Sequence, residues 1–158
     1  MTKINRIVFL FLLLLISSCS QAAAPTQKVS DQELAAQATK TLLPANGAVV
    51  GRVVSKTQGG KPLADIAVRL AQIYYNADKS ASNWVLEGAS SPSAGTDANG
   101  YFSINNVAAH DYVLIVGDIE GQYVVMTQAD GKHAIVYTIT AGKVLDVQTL
   151  EAGLPFVK

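Results

Sequence analysis

One short stretch decides the fold of this chain: residues 96–107, which read TDANGYFSINNV. Its first half carries three turn-forming residues, Asp97, Asn99 and Gly100. An Asp carboxylate caps a turn through nearby backbone N–H groups, and Asn-Gly supplies the positive φ that a tight hairpin needs. The following residues alternate, so that Phe102 and Ile104 point to the same side of an extended chain. The stretch therefore predicts a structural turn followed at once by a half-buried β-strand, residues 101–104.

Six further runs of β-branched and aromatic residues are bounded by turn residues. They cover residues 48–55, 66–75, 112–116, 123–126, 135–139 and 144–150. Seven short strands at this spacing predict an all-β, immunoglobulin-like sandwich. No helical run long enough for a crossover lies between them, so a parallel sheet is not expected.

The alternation also predicts which side chains form the core. Residues 66–75 place Val68, Leu70 and Gln72 on one face, and Ala67, Arg69, Ala71 and Ile73 on the other. The predicted core residues are Phe102, Ile104, Leu114 and Val116. These residues explain folding and provide no chemistry.

Three parts of the chain resemble carboxypeptidase regulatory-like domains. They are GRVV at 51–54 with GKPLADIAVRL at 60–70, then residues 96–107, and finally DYVLIV at 111–116. The resemblance implies a seven-stranded, prealbumin-like β-sandwich. The family often has Pro-Pro-Gly before the Tyr strand, whereas this chain has Ala-Ala-His at 108–110. In that family the domain is an accessory to the peptidase, so the resemblance implies no peptidase activity.

The amino-terminal segment predicts export and lipid attachment. Lys3 and Arg6 precede the apolar run 7–16, which is the order of a secretory signal. Leu-Ile-Ser-Ser-Cys at 15–19 resembles the bacterial lipobox, which implies a lipid attached to Cys19 and cleavage just before it. The alternative is an ordinary signal peptide cut near residues 22–24. We expect a signal peptide at 1–18, a tether at 19–46 with a possible short helix, and a sandwich domain at 47–158.

Charge and cysteine content narrow the classes of partner. Cys19 is the only cysteine, so the exported domain has no internal disulfide. Removal of Lys3 and Arg6 with the signal leaves ten basic against twelve acidic side chains. Nucleic acid requires clustered basic residues, so it is not expected as a partner. The residue after Cys19 is Ser rather than Asp, which favours an outer membrane if the cell has two.

A helix is predicted within the tether. Residues 30–33, Ser-Asp-Gln-Glu, fit a capping box that opens the Ala-rich run 34–42. Leu34, Ala38 and Leu42 recur every four residues, so one face can pack on the domain. The alternative is a plain linker, because an isolated helix of this length is marginal in water.

The long connection 76–95 is the candidate binding surface. It contains the only Trp, Trp84, and Tyr74 and Tyr75 lie at its entrance. Large aromatics among small polar residues suit contact with a protein or a glycan. The favoured alternative is that residues 84–86 form another strand whose indole plugs one end of the sandwich. Residues 90–93 are expected to be an exposed loop in both cases.

Catalysis, metal ions and cofactors are not expected. The chain has two His residues, His110 and His133, and no Gly-x-Ser-x-Gly motif. Asp97 and Asn99 supply oxygens of the kind that begin a calcium loop, but no Glu follows at the required position, so a structural turn is favoured.

The sequence thus predicts a membrane-anchored, non-catalytic lipoprotein whose β-sandwich is a protein-binding or assembly module at the cell envelope. The alternatives are a structural spacer with no discrete ligand and a carbohydrate-binding module. Exposure of Trp84, Tyr74 or Tyr75 in a row would favour the carbohydrate alternative.

Overall fold

The computed structural model describes residues 30–40, 42–79 and 82–154. Within these residues the chain forms one helix, α1 (Asp31–Lys40), and nine strands. The strands are β1 (Asn46–Ser55), β2 (Ala67–Tyr75), β3 (Ser82–Val85), β4 (Ser93–Gly95), β5 (Tyr101–Ala108), β6 (Asp111–Gly117), β7 (Tyr123–Val125), β8 (Tyr137–Thr138) and β9 (Val144–Ala152). The predicted signal peptide and Cys19 lie outside the described residues.

The strands form two sheets that pack face to face. Sheet A has the order β5-β1-β9, and sheet B has the order β3-β2-β6-β7. The short strand β4 continues the β3 edge by pairing with the start of β2, and β8 pairs with the start of β6. The predicted all-β sandwich is confirmed.

The core between the sheets consists of the residues that the alternation places inward. All four predicted core residues are buried in it: Phe102, Ile104, Leu114 and Val116. Val68 and Leu70 join them from β2, while Ala71 and Ile73 lie in a separate cluster on the outer face of sheet B. The two-residue period of the strands therefore predicts both faces correctly.

Two features of the topology differ from the prediction. The described residues contain nine strands rather than seven, because β3 and β4 both form inside the segment expected to be a long connection. In addition, β1 and β9 pair in parallel. A parallel pair needs a long connection between its strands, and here almost the whole sandwich provides it, so no crossover helix is required.

The helix predicted in the tether is present and packs against sheet A. Its start is capped by Ser30, whose Oγ accepts a hydrogen bond from the Glu33 backbone N–H at 3.3 Å. Ala38 is only 2% exposed and lies against Ala48 and Val50 on the outer face of β1. Leu34 packs around the same contact, as the four-residue recurrence predicts, whereas Leu42 reaches it from beyond the helix, which ends at Lys40 and not at residue 42. The helix thus covers part of the outer face of sheet A.

Among the described residues, no helix has the length and apolar character needed to cross a membrane.

Candidate functional site

The three aromatic residues predicted as one surface lie on two different faces. Tyr74 and Tyr75 are consecutive in β2, so their side chains point to opposite sides of sheet B. Trp84 lies directly opposite Ile73 in the β2–β3 register, which places the indole on the outer face with Tyr75. Tyr74 points to the inner side, at the open edge between the sheets. The structure therefore divides the predicted surface into an outer face and a cleft.

Trp84 does not plug the end of the sandwich. The expected additional strand is present as β3, but its Trp84 is 42% exposed on the outer face of sheet B. Tyr75 is 44% exposed on the same face. The same face carries a buried aliphatic cluster, against which the partly buried Leu86, Val125 and Ala134 pack. Its members are Ala71, Ile73, Val113 and Ile115. The two aromatic side chains thus border an apolar layer and remain open to solvent. We call this region the outer aromatic face.

A hydrogen-bonded carboxylate lies beside Tyr75. Asp111, on β6, accepts hydrogen bonds from Thr138 Oγ1 at 2.6 Å and from the Tyr75 hydroxyl at 2.8 Å. These two bonds, the Thr138 bond first, hold the pKa of Asp111 below its ordinary value. The same bond to Asp111 raises the pKa of the Tyr75 phenol. The Asp111 network therefore fixes the orientation of the Tyr75 ring at the solvent boundary.

Arg69 supplies a positive charge on the same side of β2. Its Nε is buried without a hydrogen-bond partner among the described residues, and its Nη1 donates one long bond, 3.5 Å, to the Gly88 carbonyl oxygen. No carboxylate of the described residues forms an ion pair with it. The guanidinium is therefore incompletely satisfied within the domain. The sequence already indicated that Arg69 is unusual, because it shares its predicted strand face with the apolar residues Ala67, Ala71 and Ile73.

Tyr74 lines a cleft of about 310 Å³ between the two sheets. The floor is formed by Leu70 and Tyr112, and the Tyr112 hydroxyl donates a hydrogen bond to the Ala108 carbonyl oxygen at 3.1 Å. Burial raises the pKa of the Tyr112 phenol above its ordinary value, and the neighbouring Tyr74 is a second, smaller cause. The walls contain further polar side chains, which are Gln72, Glu87, Ser90, Ser91 and Asn106. We call this site the edge cleft.

A compact turn forms the rim of the edge cleft. The backbone N–H groups of Ser90 and Ser91 donate to the Glu87 carbonyl oxygen, and the Glu87 N–H donates to Ser91 Oγ at 2.9 Å. The Ser90 hydroxyl in turn donates to the Glu87 carboxylate. The Leu70 N–H donates to the Pro92 carbonyl oxygen and attaches this turn to β2. Residues 90–93 were expected to be an exposed loop, but Ser91 and Pro92 are partly buried and Ser93 begins β4.

Sequence reasoning missed most of the edge cleft. One signal was present, because the alternation placed Gln72 on the same face as Val68 and Leu70. A polar residue at an inward position of a strand is unusual unless the core is open there. Glu87 and Asn106 gave no comparable signal, because they join the site from distant parts of the chain.

The turn predicted at residues 97–100 is present, with a different connection. Asp97 Oδ1 accepts hydrogen bonds from the Asn99 and Tyr101 N–H groups, both at 2.8 Å. Gly100 has a φ of 83°, and a Cβ there would collide with the Val53 carbonyl oxygen, so the position requires Gly. The turn joins β4 of sheet B to β5 of sheet A, so it forms a corner between the sheets and not the expected hairpin.

Within the part of the chain that the structure describes, no three His, Cys, Asp or Glu residues lie close enough together to hold a metal ion. His133 contacts Asp130 in an exposed loop, where the imidazole lowers the pKa of the carboxylate.

The chain shows only weak similarity to known proteins. No family model and no curated protein matches the chain. Among solved structures, the major pilin subunit BcpA of Bacillus cereus matches with a TM-score of 0.41 and 14% identity over 70% of this chain and 30% of the pilin. A DUF3823 family protein of Bacteroides uniformis matches with a TM-score of 0.42 and 15% identity over 68% of this chain and 43% of that protein.

A third match is a Pseudomonas aeruginosa protein named for a suggested carbohydrate-binding role. Its TM-score is 0.40 and its identity 14%, over 73% of this chain and 96% of that protein. The chain spans less than half the length of the pilin and of the Bacteroides protein. A likeness of this degree assigns no function.

Proposed function

We propose that this protein is a lipid-anchored, non-catalytic module of the cell envelope that binds a protein segment through its outer aromatic face. The observation that carries the proposal is the exposure of Trp84 and Tyr75 on one face of sheet B, beside the buried apolar cluster on that face. Tyr and Trp provide large contact areas with few rotatable bonds, and they are enriched among the residues that dominate protein interfaces.

Two neighbouring features favour a protein segment as the partner. β3 is the edge strand of sheet B in the described residues, so the outer backbone groups of Ser82–Val85 can pair with an added strand. Arg69 lacks a carboxylate partner within the described residues and can pair with an acidic side chain of the incoming segment. A segment with both apolar and acidic side chains fits this combination.

The anchor places the domain near a membrane surface. A lipid on Cys19 would leave ten residues, 20–29, before the capping residue Ser30. Ten residues span at most about 35 Å when fully extended. The helix on sheet A follows this tether, so sheet A is the nearer of the two sheets along the chain and sheet B is free to meet a partner.

The test is site-specific photocrosslinking of the full lipoprotein in intact cells. A photoreactive amino acid replaces exposed Ser82, which pairs with Tyr75 and lies beside Trp84. The matched control carries it at exposed Lys143, before β9 of sheet A. We expect position 82 to capture a discrete envelope protein that position 143 does not, and the double variant Trp84→Ala, Tyr75→Ala to lose that product.

An equal pattern of products from positions 82 and 143, or no product from either, would favour the structural spacer instead. A product that survives in the double variant would show that the outer aromatic face is not the interface. The substitution Tyr74→Ala controls for general damage, because that side chain points to the opposite side of the same strand.

The anchor is tested separately. The substitution Cys19→Ala should abolish incorporation of labelled palmitate and leave an uncleaved precursor or a soluble product, because the thiol is the proposed acceptor. Palmitate incorporation into this variant would overturn the proposed lipid attachment and leave the interface proposal intact.

A further inference from the structure

We propose that the edge cleft is a second binding site and that its ligand is a neutral saccharide. The site is separate from the outer aromatic face, because Tyr74 and Tyr75 project to opposite sides of β2. The inference therefore does not depend on the proposed protein partner.

The wall of the edge cleft provides a flat apolar surface beside free polar groups. The Tyr74 side chain is 50% exposed and has no hydrogen-bond partner among the described residues. An aromatic ring in this position can stack on the C–H face of a pyranose while its hydroxyl stays available for hydrogen bonding. Leu70 and Tyr112, which are almost fully buried, give the edge cleft an apolar floor.

Two carboxamides in the edge cleft are only partly used by the protein. The side chain of Gln72 has no hydrogen-bond partner within the described residues. Asn106 uses its Oδ1 to accept from the Leu43 N–H at 2.8 Å, which leaves its Nδ2 group as a free donor. A carboxamide offers both donors and acceptors, and neighbouring sugar hydroxyls require both.

The Asn106 backbone is held in place for this role. Its φ is 56°, and its carbonyl oxygen accepts from Asn46 Nδ2 at 3.0 Å. Together with the Leu43 bond, this ties the β5 wall of the edge cleft to the segment that follows the helix. The side chain is therefore positioned before a ligand arrives, which lowers the entropic cost of binding.

Charge excludes other classes of ligand. Glu87 is the only charged residue among those that line the edge cleft in the described structure, so an anionic ligand is repelled. The Ser90 hydroxyl already donates to the Glu87 carboxylate, whose other oxygen can accept from a ligand hydroxyl. A purely apolar ligand would leave the polar groups of Gln72 and Glu87 without partners. A neutral compound rich in hydroxyl groups satisfies all of these conditions.

The size of the edge cleft is compatible with part of an oligosaccharide. A volume of about 310 Å³ lies at the lower end of the range for small-ligand sites. The cleft opens at the edge of the sandwich, so a chain of sugar units can continue past the ordered site into solvent.

The proposal is tested by calorimetric titration of the full lipoprotein in a sugar-free detergent. The probes are cellotriose, maltotriose and triacetylchitotriose, with trigalacturonate as the anionic comparison. We expect at least one neutral trisaccharide to bind with a Kd on the order of 1 mM and trigalacturonate to bind at least about tenfold more weakly. Failure of all three neutral probes, or equal binding of trigalacturonate, would overturn the proposal.

Matched variants locate the binding. Tyr74→Ala should weaken the affinity at least about tenfold, whereas Tyr75→Ala should leave it unchanged. Gln72→Leu, which keeps the volume and removes the amide, provides a second test if Tyr74→Ala is poorly folded by circular dichroism. Equal losses from Tyr74→Ala and Tyr75→Ala would place the sugar elsewhere. The photocrosslink at position 82 should persist in Tyr74→Ala, so the two proposals can fail independently.

Discussion

The outer faces of the two sheets have different surroundings. On sheet A, Ala48 and Val50 are fully buried under α1, which contributes the small side chain of Ala38. On sheet B no helix covers the corresponding side within the described residues, and Trp84 and Tyr75 remain more than two-fifths exposed. The outer face of sheet A is therefore covered by the helix. The outer face of sheet B has a buried centre, packed against Leu86, Val125 and Ala134, and is open to solvent only at the end where Tyr75 and Trp84 lie.

This difference indicates that the outer face of sheet A contributes mainly to stability and that of sheet B mainly to recognition. Small residues let a helix approach a sheet closely, so the contact on sheet A contributes to folding and leaves little side-chain surface for a partner. Large aromatics at the solvent boundary of sheet B bury only part of their area in the folded chain. The area that remains is available for binding, and four substitutions test this assignment of stability to one face and binding to the other.

The largest expected effect is on the sealed face. Ala38→Glu places a carboxylate against Ala48 and Val50, and we expect the free energy of unfolding to fall by about 2–3 kcal/mol as α1 is forced off the sheet. The measurement is urea denaturation of the full lipoprotein in detergent. Ala36→Glu is the matched control, because Ala36 is exposed on the same helix and should change stability by less than about 0.5 kcal/mol.

Equal effects of Ala38→Glu and Ala36→Glu would remove the contrast between the sheets. The helix would then be undocked in solution, and Ala48 and Val50 on the outer face of sheet A would be open to solvent.

A smaller effect on stability, seen only at low pH, is expected when Asp111 is replaced. Its pKa in the folded protein lies below the ordinary value of 3.8, because Thr138 and Tyr75 donate hydrogen bonds to the ionised form. This stabilisation is complete above pH 3.8 and is lost as the pH falls through the lower, folded-state pKa. Asp111→Asn should therefore make stability less dependent on pH below about 4, measured as urea midpoints across that range.

Tyr75→Phe should reproduce part of this change, because it removes one of the two hydrogen bonds. Titration of Asp111 by carboxyl NMR should show its pKa moving upward in this variant. An unchanged pKa would mean that the Tyr75 hydroxyl is not ordered by Asp111 in solution.

The smallest effect on stability is expected at Arg69. Its buried Nε has no partner, so Arg69→Met removes an unsatisfied polar group while keeping an apolar stem. We expect the free energy of unfolding to change by less than about 0.5 kcal/mol or to rise slightly. The same variant should weaken the photocrosslink from position 82. A clear loss of stability would instead assign Arg69 to the fold rather than to the outer aromatic face.

Much of the architecture could be predicted because it depends on neighbouring residues. The capping residue Ser30 and the four-residue recurrence through Ala38 act within one or two helical turns, so both the helix and its buried face were predicted. The inward positions of Phe102 and Ile104 follow from the two-residue period of a strand. The structure bears out these local predictions.

The candidate sites could be predicted only in part. Tyr74, Tyr75 and Trp84 were identified as candidates from their chemistry, and the strand predicted at residues 66–75 already implies that Tyr74 and Tyr75 lie on opposite faces. The face on which Trp84 lies required the register of its strand against β2. A strand was favoured at residues 84–86, but β3 is fully exposed, so it carries no alternation of buried and exposed positions from which the face of Trp84 could be predicted. The parallel pairing of β9 with β1 is likewise a long-range contact that no local pattern specifies.

The amino-acid sequence by itself determined the all-β class, the inward side chains, the turn at residues 97–100 and the helix start, because each depends on short-range sterics and periodicity. Tertiary structure alone decided that Gln72, Glu87 and Asn106 share one cleft and that Trp84 lies on the outer face. These relations depend on strand register and sheet packing, which bring together residues that are distant along the chain.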